Sequence, residues 1–235
     1  MIGQYAIATA SAAGYSIRHA RALEIAHGEW VRYVKKSVYC SLCYVGLGAR
    51  GTAREAWKAG QAASLSTAFD VLTDWRGFTP AGAAVFDALL ASIVADRETR
   101  RMAMEFYEQK RSGGFTGDGL ERGATALRLV LRAMDSESRR ASEWGDLDDV
   151  GRTLQLVDDL LDFDQDIVRH DLNCLTSPRA ADCLDAFLGQ YNSGDLHRIF
   201  GTKRTVLVRV IERAAHRAAS MRAVTSASRD SVRAF

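Results

Sequence analysis

The chain has 235 residues, 47% apolar and 26% charged, with a formal net charge of +2. That balance supports a packed core, offers too little positive charge to recruit nucleic acid, and excludes collagen-like, disordered and disulfide-scaffold classes. With only two prolines, long uninterrupted helices are expected rather than a many-turned β architecture.

Apolar residues recur at three- and four-residue spacing over Ser11–Ala26, Gly28–Arg50 and Thr52–Trp75, which predicts three helices. Gly51 separates the second from the third, and the Gly77/Pro80 pair closes the third, with Pro80 well placed to start another helix. Ala81–Lys110 reads as one long helix ending in a basic turn, and after it comes the clearest loop in the chain, Ser112-Gly-Gly-Phe-Thr-Gly. Gly119–Trp144 reads as another helix. Asp146-Leu-Asp-Asp then signals the start of a helix carrying Leu154 to Val168, and Ser177-Pro178 redirects the chain after it. Ala180–Tyr191 and Thr202–Arg222 are the last helical patterns, and the polar, basic tail from Thr225 is expected to fray. One all-α domain of eight to ten helices over residues 1–224, with a tail at 225–235, is the expectation.

No stretch reaches the ~18 consecutive apolar residues that a bilayer span needs. The first twenty residues lack a basic start followed by an apolar block, so no secretory leader is expected. Four cysteines in a chain of this size do not suggest a disulfide framework. These readings together predict a cytoplasmic, reduced protein with no membrane span.

Chemistry concentrates in two acidic patches. The stronger is Gln155-Leu-Val-Asp158-Asp159-Leu-Leu-Asp162-Phe-Asp164-Gln-Asp166. On a helix Asp158 and Asp162 lie one turn apart on one face, and Asp159, Asp162 and Asp166 form a neighbouring stripe. Like charges at that spacing weaken a helix by a few tenths of a kcal/mol each, so five aspartates among Leu156, Val157, Leu160, Leu161 and Phe163 call for a counter-ion. Mg²⁺ suits them, because it takes one or two carboxylates and keeps positions for water and substrate phosphate. The weaker patch, Asp70-Val-Leu-Thr-Asp74, again puts two carboxylates on one face, and Arg76 stands just beyond it.

The combination resembles the class I isoprenoid synthase superfamily. The Asp158 segment resembles the second aspartate-rich motif of trans-isoprenyl diphosphate synthases. Its longer ladder, continued by Asp171-Leu-Asn, is similar to tetraprenyl-β-curcumene synthase-like large terpene synthases. Ser66-Thr-Ala-Phe-Asp-Val-Leu-Thr-Asp is similar in position to that family's first motif and to the D-x-x-x-D motif of squalene and phytoene synthases.

The resemblance implies a single-domain helical bundle of the class I terpenoid synthase type, with a central apolar cavity and two acidic helices facing each other at its mouth. It implies that Asp70 and Asp74 hold Mg²⁺ from one side and Asp158, Asp159, Asp162 and Asp166 from the other. The reaction implied is metal-assisted ionisation of a linear prenyl diphosphate, with Asp70, Asp74, Asp158 and Asp162 as the catalytic set. Arg32, Lys36, Arg76, Arg169, Lys203 and Arg209 are candidates for binding the diphosphate, with Lys35 and Arg204 as neighbours of this set. Candidate walls around the allylic cation are Trp30, Phe69, Trp75, Phe106, Trp144 and Phe163. The resemblance is also compatible with a homodimer.

Departures from these families shape the reading. The first motif has one aspartate where chain-elongating synthases carry an adjacent pair, it lacks a succeeding arginine pair, and no glycine-lysine motif for isopentenyl diphosphate stands near the start. These differences favour a terpene synthase over a trans-prenyltransferase, which stays as the alternative; a non-catalytic helical binding module is the third reading. Other signals are weaker. Asp162-x-Asp164-x-Asp166 lacks the glycine and glutamate of a calcium loop, since Ile167 and Asn173 stand there. Cys40-x-x-Cys43 sits in a helical pattern, where core thiols are the default over a zinc site. The glycines 113, 114, 117 and 119 lack the strand and lysine of a phosphate loop.

Overall fold

The computed structural model describes residues 2–48, 52–75, 79–113, 119–169, 173–200 and 206–233, with backbone alone at 2, 48, 74, 75, 169 and 224–233. Among these residues the chain is all-α, with eleven α-helices and no strand. No helix among them is long and apolar enough to cross a membrane. The contacts gather into two compact units, one of residues 1–114 and 128–142, the other of residues 115–127 and 143–235.

The first unit is built on α1 (Ile2–Ala22), α2 (Trp30–Gly48) and α3 (Ala53–Asp70), each packed on the other two. Small residues set their spacing. Ala8, Ala12, Ala56, Ala59 and Ala63 are fully buried, and a Cβ on Gly60 would lie 2.4 Å from the Ala8 carbonyl oxygen. Ser16 Oγ donates to Ser37 Oγ at 2.7 Å, and Ser64 Oγ lies 3.1 Å from His19 Nδ1, so buried hydroxyls are bonded across the helices rather than left bare. Thr52 and Glu55 close a reciprocal capping box at the start of α3.

At its far end α3 widens into a π-helical turn, Val71–Trp75. Pro80 occupies the first turn of α4 (Pro80–Ile93), with Thr79 as its cap. α4 and α5 (Arg97–Arg111) pack on each other and supply Phe86, Leu89, Leu90 and Tyr107 to a core shared with Leu23, Tyr33, Leu65 and Val71.

Two long helices expected from periodicity are each broken. Between α4 and α5, Val94 turns extended and Asp96 caps α5, accepting from the Thr99 amide at 2.8 Å and its hydroxyl at 2.6 Å. Between α6 (Glu121–Ala133) and α7 (Glu137–Trp144), Asp135 takes a left-handed φ of 54°. There the Ser136 amide donates to the Leu131 carbonyl and the Asp135 amide to the Arg132 carbonyl, a helix stop usually built on glycine.

The second unit contains the first turns of α6 together with α8 (Leu147–Arg169), α9 (Ala180–Asn192), α10 (Asp195–Phe200) and α11 (Val206–Arg233). α8 packs against α9 and α11. Asp146 caps α8, its Oδ1 accepting from the Asp148 amide at 2.8 Å, as the Asp146-Leu-Asp-Asp signal predicted.

Candidate functional site

In the second unit the site is built on α8, and glycine sets its position. A Cβ on Gly123 would lie 2.4 Å from the Gly151 carbonyl oxygen, and one on Gly151 would lie 2.5 Å from Ala124 Cα. α6 and α8 therefore cross backbone to backbone, which only glycine allows. The crossing brings the first turn of α6 onto α8. Arg152 Nε donates to Glu121 Oε1 at 2.9 Å, and Arg122 Nη2 donates to Asp159 Oδ1 at 2.6 Å.

Asp159 is 1% exposed. Its Oδ1 also accepts from Gln155 Nε2 at 2.7 Å, and its Oδ2 accepts from the Cys174 amide at 2.7 Å. A carboxylate this deep requires a cation and several donors, and it has both. Asn173, equally buried, donates from Nδ2 to the Asp159 carbonyl at 2.9 Å and to Asp166 Oδ2 at 2.7 Å, while its Oδ1 accepts from the Leu175 amide at 2.9 Å.

The other aspartates of the ladder stand differently. Asp158 and Asp162 are exposed, Asp166 is half-buried, and exposed Asp164 pairs with Arg217 at 2.7 Å. Leu156, Val157 and Leu160 face the core. One helix thus carries an outward pair of carboxylates one turn apart and an inward carboxylate tied to protein donors.

The first motif lies in the other unit. Asp70 closes α3, and its Oδ2 lies 2.7 Å from Lys36 Nζ of α2. Thr73, in the π-helical turn, accepts from Lys110 Nζ of α5 at 3.1 Å, and that ammonium sits 5.3 Å from the centre of the Phe69 ring. Phe69 stacks on Phe106 at 5.3 Å and meets the edges of Phe86 and Tyr107. Single-turn π segments inside α-helices are frequent at functional sites. Nearby, Tyr44 donates to Ser66 Oγ at 2.9 Å, and burial raises its phenol above the ordinary value.

Of the remaining predicted residues, Arg32, Lys35 and Arg209 are exposed. Arg76, Asp171, Lys203, Arg204 and glycines 114 and 117 lie outside the described residues, as do the side chains of Asp74, Trp75 and Arg169. Trp30 is half-buried and donates to the Ile25 carbonyl at 2.8 Å, Trp144 meets Phe200 edge-on at 5.7 Å, and Phe163 is half-buried. None of the four cysteines is in a disulfide, and burial pushes the Cys43 thiol up to about 11.

Surface depressions are present among the described residues. One of about 340 Å³ is lined by Asp96, Thr99, Arg132, Asp135 and Glu137, and one of about 220 Å³ by Trp144, Asp146, Thr153, Gln190 and Phe200 among others. Neither is lined by a predicted metal or diphosphate residue. Among the described residues no three His, Cys, Asp or Glu side chains converge on one point.

Sequence reasoning missed Arg122, and it gave Lys110, Thr73, Gln155 and Asn173 no role of their own. Lys110 read as the basic end of a helix. Arg122 had no local signal, because its partner is fixed by the Gly123–Gly151 crossing. Asp159 did carry one: it lies three residues after Leu156 and one before Leu160, on the edge of the inward face. No family model, curated protein or solved structure matches the chain.

Proposed function

We propose that this chain is a Mg²⁺-dependent class I terpene synthase that ionises a linear prenyl diphosphate, releases pyrophosphate and forms a terpene hydrocarbon or alcohol. The observation that carries the reading is the contrast along α8. Asp158 and Asp162 stand exposed one turn apart, while Asp159 beside them is withdrawn and neutralised by Arg122. Two hard oxygen donors on one exposed helix face, with room for water and phosphate oxygens, fit Mg²⁺. When bound, the ion supplies Lewis-acid stabilisation of a departing diphosphate.

In this reading Asp158 and Asp162 are the metal-holding pair of α8, with Asp166 as the next rung. Asp70 and Asp74 are the carboxylates of the first motif, carried by the other unit. Lys36 pairs with Asp70 and serves as a cation for diphosphate oxygens. Lys110 joins it as a second ammonium near the same helix end. Phe69, stacked on Phe106, already holds the Lys110 ammonium over its ring.

The test is incubation with prenyl diphosphates of two to five isoprene units, with Mg²⁺ or EDTA, reading products by gas chromatography–mass spectrometry. Half the tubes also contain isopentenyl diphosphate. A metal-dependent hydrocarbon or alcohol without isopentenyl diphosphate is expected. Asp158→Ala and Asp162→Ala should each lower its rate on the order of 10²-fold or more; full activity in both variants sinks the mechanism. A longer diphosphate formed only with isopentenyl diphosphate makes the chain a trans-prenyltransferase.

One observation favours a non-catalytic helical module instead: Asp159 and Asp164 are already paired with Arg122 and Arg217, so two carboxylates of the ladder have protein counter-ions. That reading predicts no thermal stabilisation by Mg²⁺ with pyrophosphate, whereas an enzyme that binds both is stabilised by mass action.

A further inference from the structure

α1 is held to α3 by polar rungs more than by apolar bulk. Ser11 Oγ donates to the Trp57 carbonyl at 2.8 Å, Gln61 Nε2 donates to the Tyr15 hydroxyl at 2.7 Å, and Ser64 Oγ lies 3.1 Å from His19 Nδ1. Residues 11, 15 and 19 recur about one turn apart on α1 and meet 57, 61 and 64 in the same order on α3, so the two helices run side by side in one direction. Between the rungs the contact is made by small residues. Among the described residues the buried apolar side chains of α1 are Ala8, Ala12 and Ala20, with Leu23 just past its end, whereas α2 supplies Tyr33, Val45 and Leu47. α2 and α3 also keep ties of their own, Tyr44 to Ser66 and Lys36 to Asp70. A buried methyl contributes little, and elements with few large apolar contacts open before the fold as a whole.

The last rung is the one that takes a proton in mild acid. His19 is 5% exposed, and what faces it is neutral or positive. From α1 these are Arg18 and the Tyr15 ring, edge-on at 5.8 Å, and from α3 the Ser64 hydroxyl. From α2 they are the Ser37 hydroxyl, which accepts from Ser16, and the Tyr33 phenol, which burial pushes up to about 12 against the pull of the Ser16 and Ser64 hydroxyls. α1 and α2 contain no acidic residue. The acids of α3 are Glu55 and Asp70, nine residues before and six after Ser64, and they pair with Arg139 and Lys36.

We infer that His19 is an acid-operated latch: protonation of its ring releases α1 from α3 while the second unit stays folded. A neutral imidazole fits a socket of hydroxyls, but an imidazolium there lacks the counter-ion that a buried charge needs. Once α1 has moved away the ring meets water and titrates at its ordinary value of about 6.5. In place it stays neutral to about 4, first through burial and then through Arg18. The docked form is therefore fully favoured above pH 6.5, and the released form gains about tenfold for each unit that pH falls toward 4, about 300-fold in all. The latch is independent of the terpene synthase reading of α8.

Backbone hydrogen exchange of the full chain between pH 7 and pH 4.5 tests it. Base-catalysed exchange slows as pH falls, so amides of α8 and α9 should slow in step with an unfolded peptide. Amides of α1 around Ala12 and Ser16 should not, because the growing released population offsets the slower chemistry; their protection should fall about tenfold per pH unit. His19→Gln, which still offers an oxygen to the Ser64 hydroxyl, should abolish that fall. The latch is overturned by α1 protection that does not change with pH in the wild type, by an equally steep fall in His19→Gln, or by α8 losing protection together with α1. Should His19→Gln fail to fold, the wild-type ring answers directly. At pH 5 the nitrogen chemical shifts of His19 in the folded protein should be those of a neutral imidazole, and imidazolium shifts with α1 still protected overturn the latch.

Discussion

The two units bury polar groups by opposite means. In the first, the contacts among α1, α2 and α3 hold uncharged groups: Ser16, Ser37 and Ser64 share hydrogen bonds, and His19 lies against Ser64 with its pKa lowered to about 4, first by burial and then by Arg18. In the second, the contact of α6 with α8 holds a full ion pair, Arg122 with Asp159, relayed through Gln155, Asn173 and the Cys174 amide. Neutral groups that satisfy one another need only their hydrogen bonds. Charges need each other as well, so losing one partner strands the other. The first arrangement holds helices together; the second fixes a register beside the acidic face of α8.

The largest effect should therefore come from breaking the ion pair from one side. Arg122→Ala leaves the Asp159 carboxylate buried without its cation, and it should destabilise the second unit by about 3–5 kcal/mol, the cost of stranding a buried charge. Ser37→Ala removes one neutral bond from the first unit and should cost about 1 kcal/mol. Urea denaturation of the two variants measures the gap. Equal losses would mean that the two networks do the same work.

This contrast marks the limit of what was legible in the sequence. The Pro80 start and the Asp146 cap were readable because each is made by neighbours in the chain. The break at Val94 was not, since the apolar pattern of Ala83 to Ala95 runs into the next helix without a glycine or proline. The break at Asp135 was hidden because aspartate stands where glycine normally takes a left-handed φ. At the site, the aspartate spacing was legible, including the one-turn separation of Asp158 and Asp162. The partner of Asp159 was not, because Arg122 reaches it only through the glycine crossing of α6 and α8.

Acid should separate the units next. His19 is protonated in the unfolded chain below its ordinary pKa of about 6.5 but stays neutral in the folded unit until about pH 4. Between those values the unfolded state binds the extra proton, so stability is full above pH 6.5 and falls as pH drops toward 4. The loss should approach about 3 kcal/mol. His19→Gln removes this titration, and comparing the variant with the wild type from pH 7 to pH 4 isolates it. Parallel pH profiles would show that His19 is not held neutral.

Close packing gives the next step down. Gly60→Ala would drive a Cβ to 2.4 Å from the Ala8 carbonyl oxygen and 2.8 Å from the Ala12 amide nitrogen, both backbone atoms that cannot swing aside. A loss of about 1–3 kcal/mol is expected. Gly14→Ala, on the exposed side of α1 with nothing within 4 Å, should instead stabilise by up to about 1 kcal/mol through helix propensity. Thermal melts that move in opposite directions would confirm that backbone approach, rather than glycine content, sets the spacing of α1 and α3.

The smallest effect sharpens the comparison most, because it is made on the same helix. Arg217 pairs with Asp164 at 2.7 Å, nearly the same distance as Arg122 with Asp159, but the Asp164 side chain is 79% exposed. Water already solvates that carboxylate, so Arg217→Ala strands nothing, and its cost should stay below about 1 kcal/mol and shrink further in salt. Two arginine–aspartate pairs of equal length on α8 would then differ several-fold in what their loss costs. Burial, rather than contact distance, would account for the difference. A loss in Arg217→Ala as large as that in Arg122→Ala would instead mean that α11 is held to α8 by charge, and that the inward and outward aspartates of the ladder are not distinct in kind.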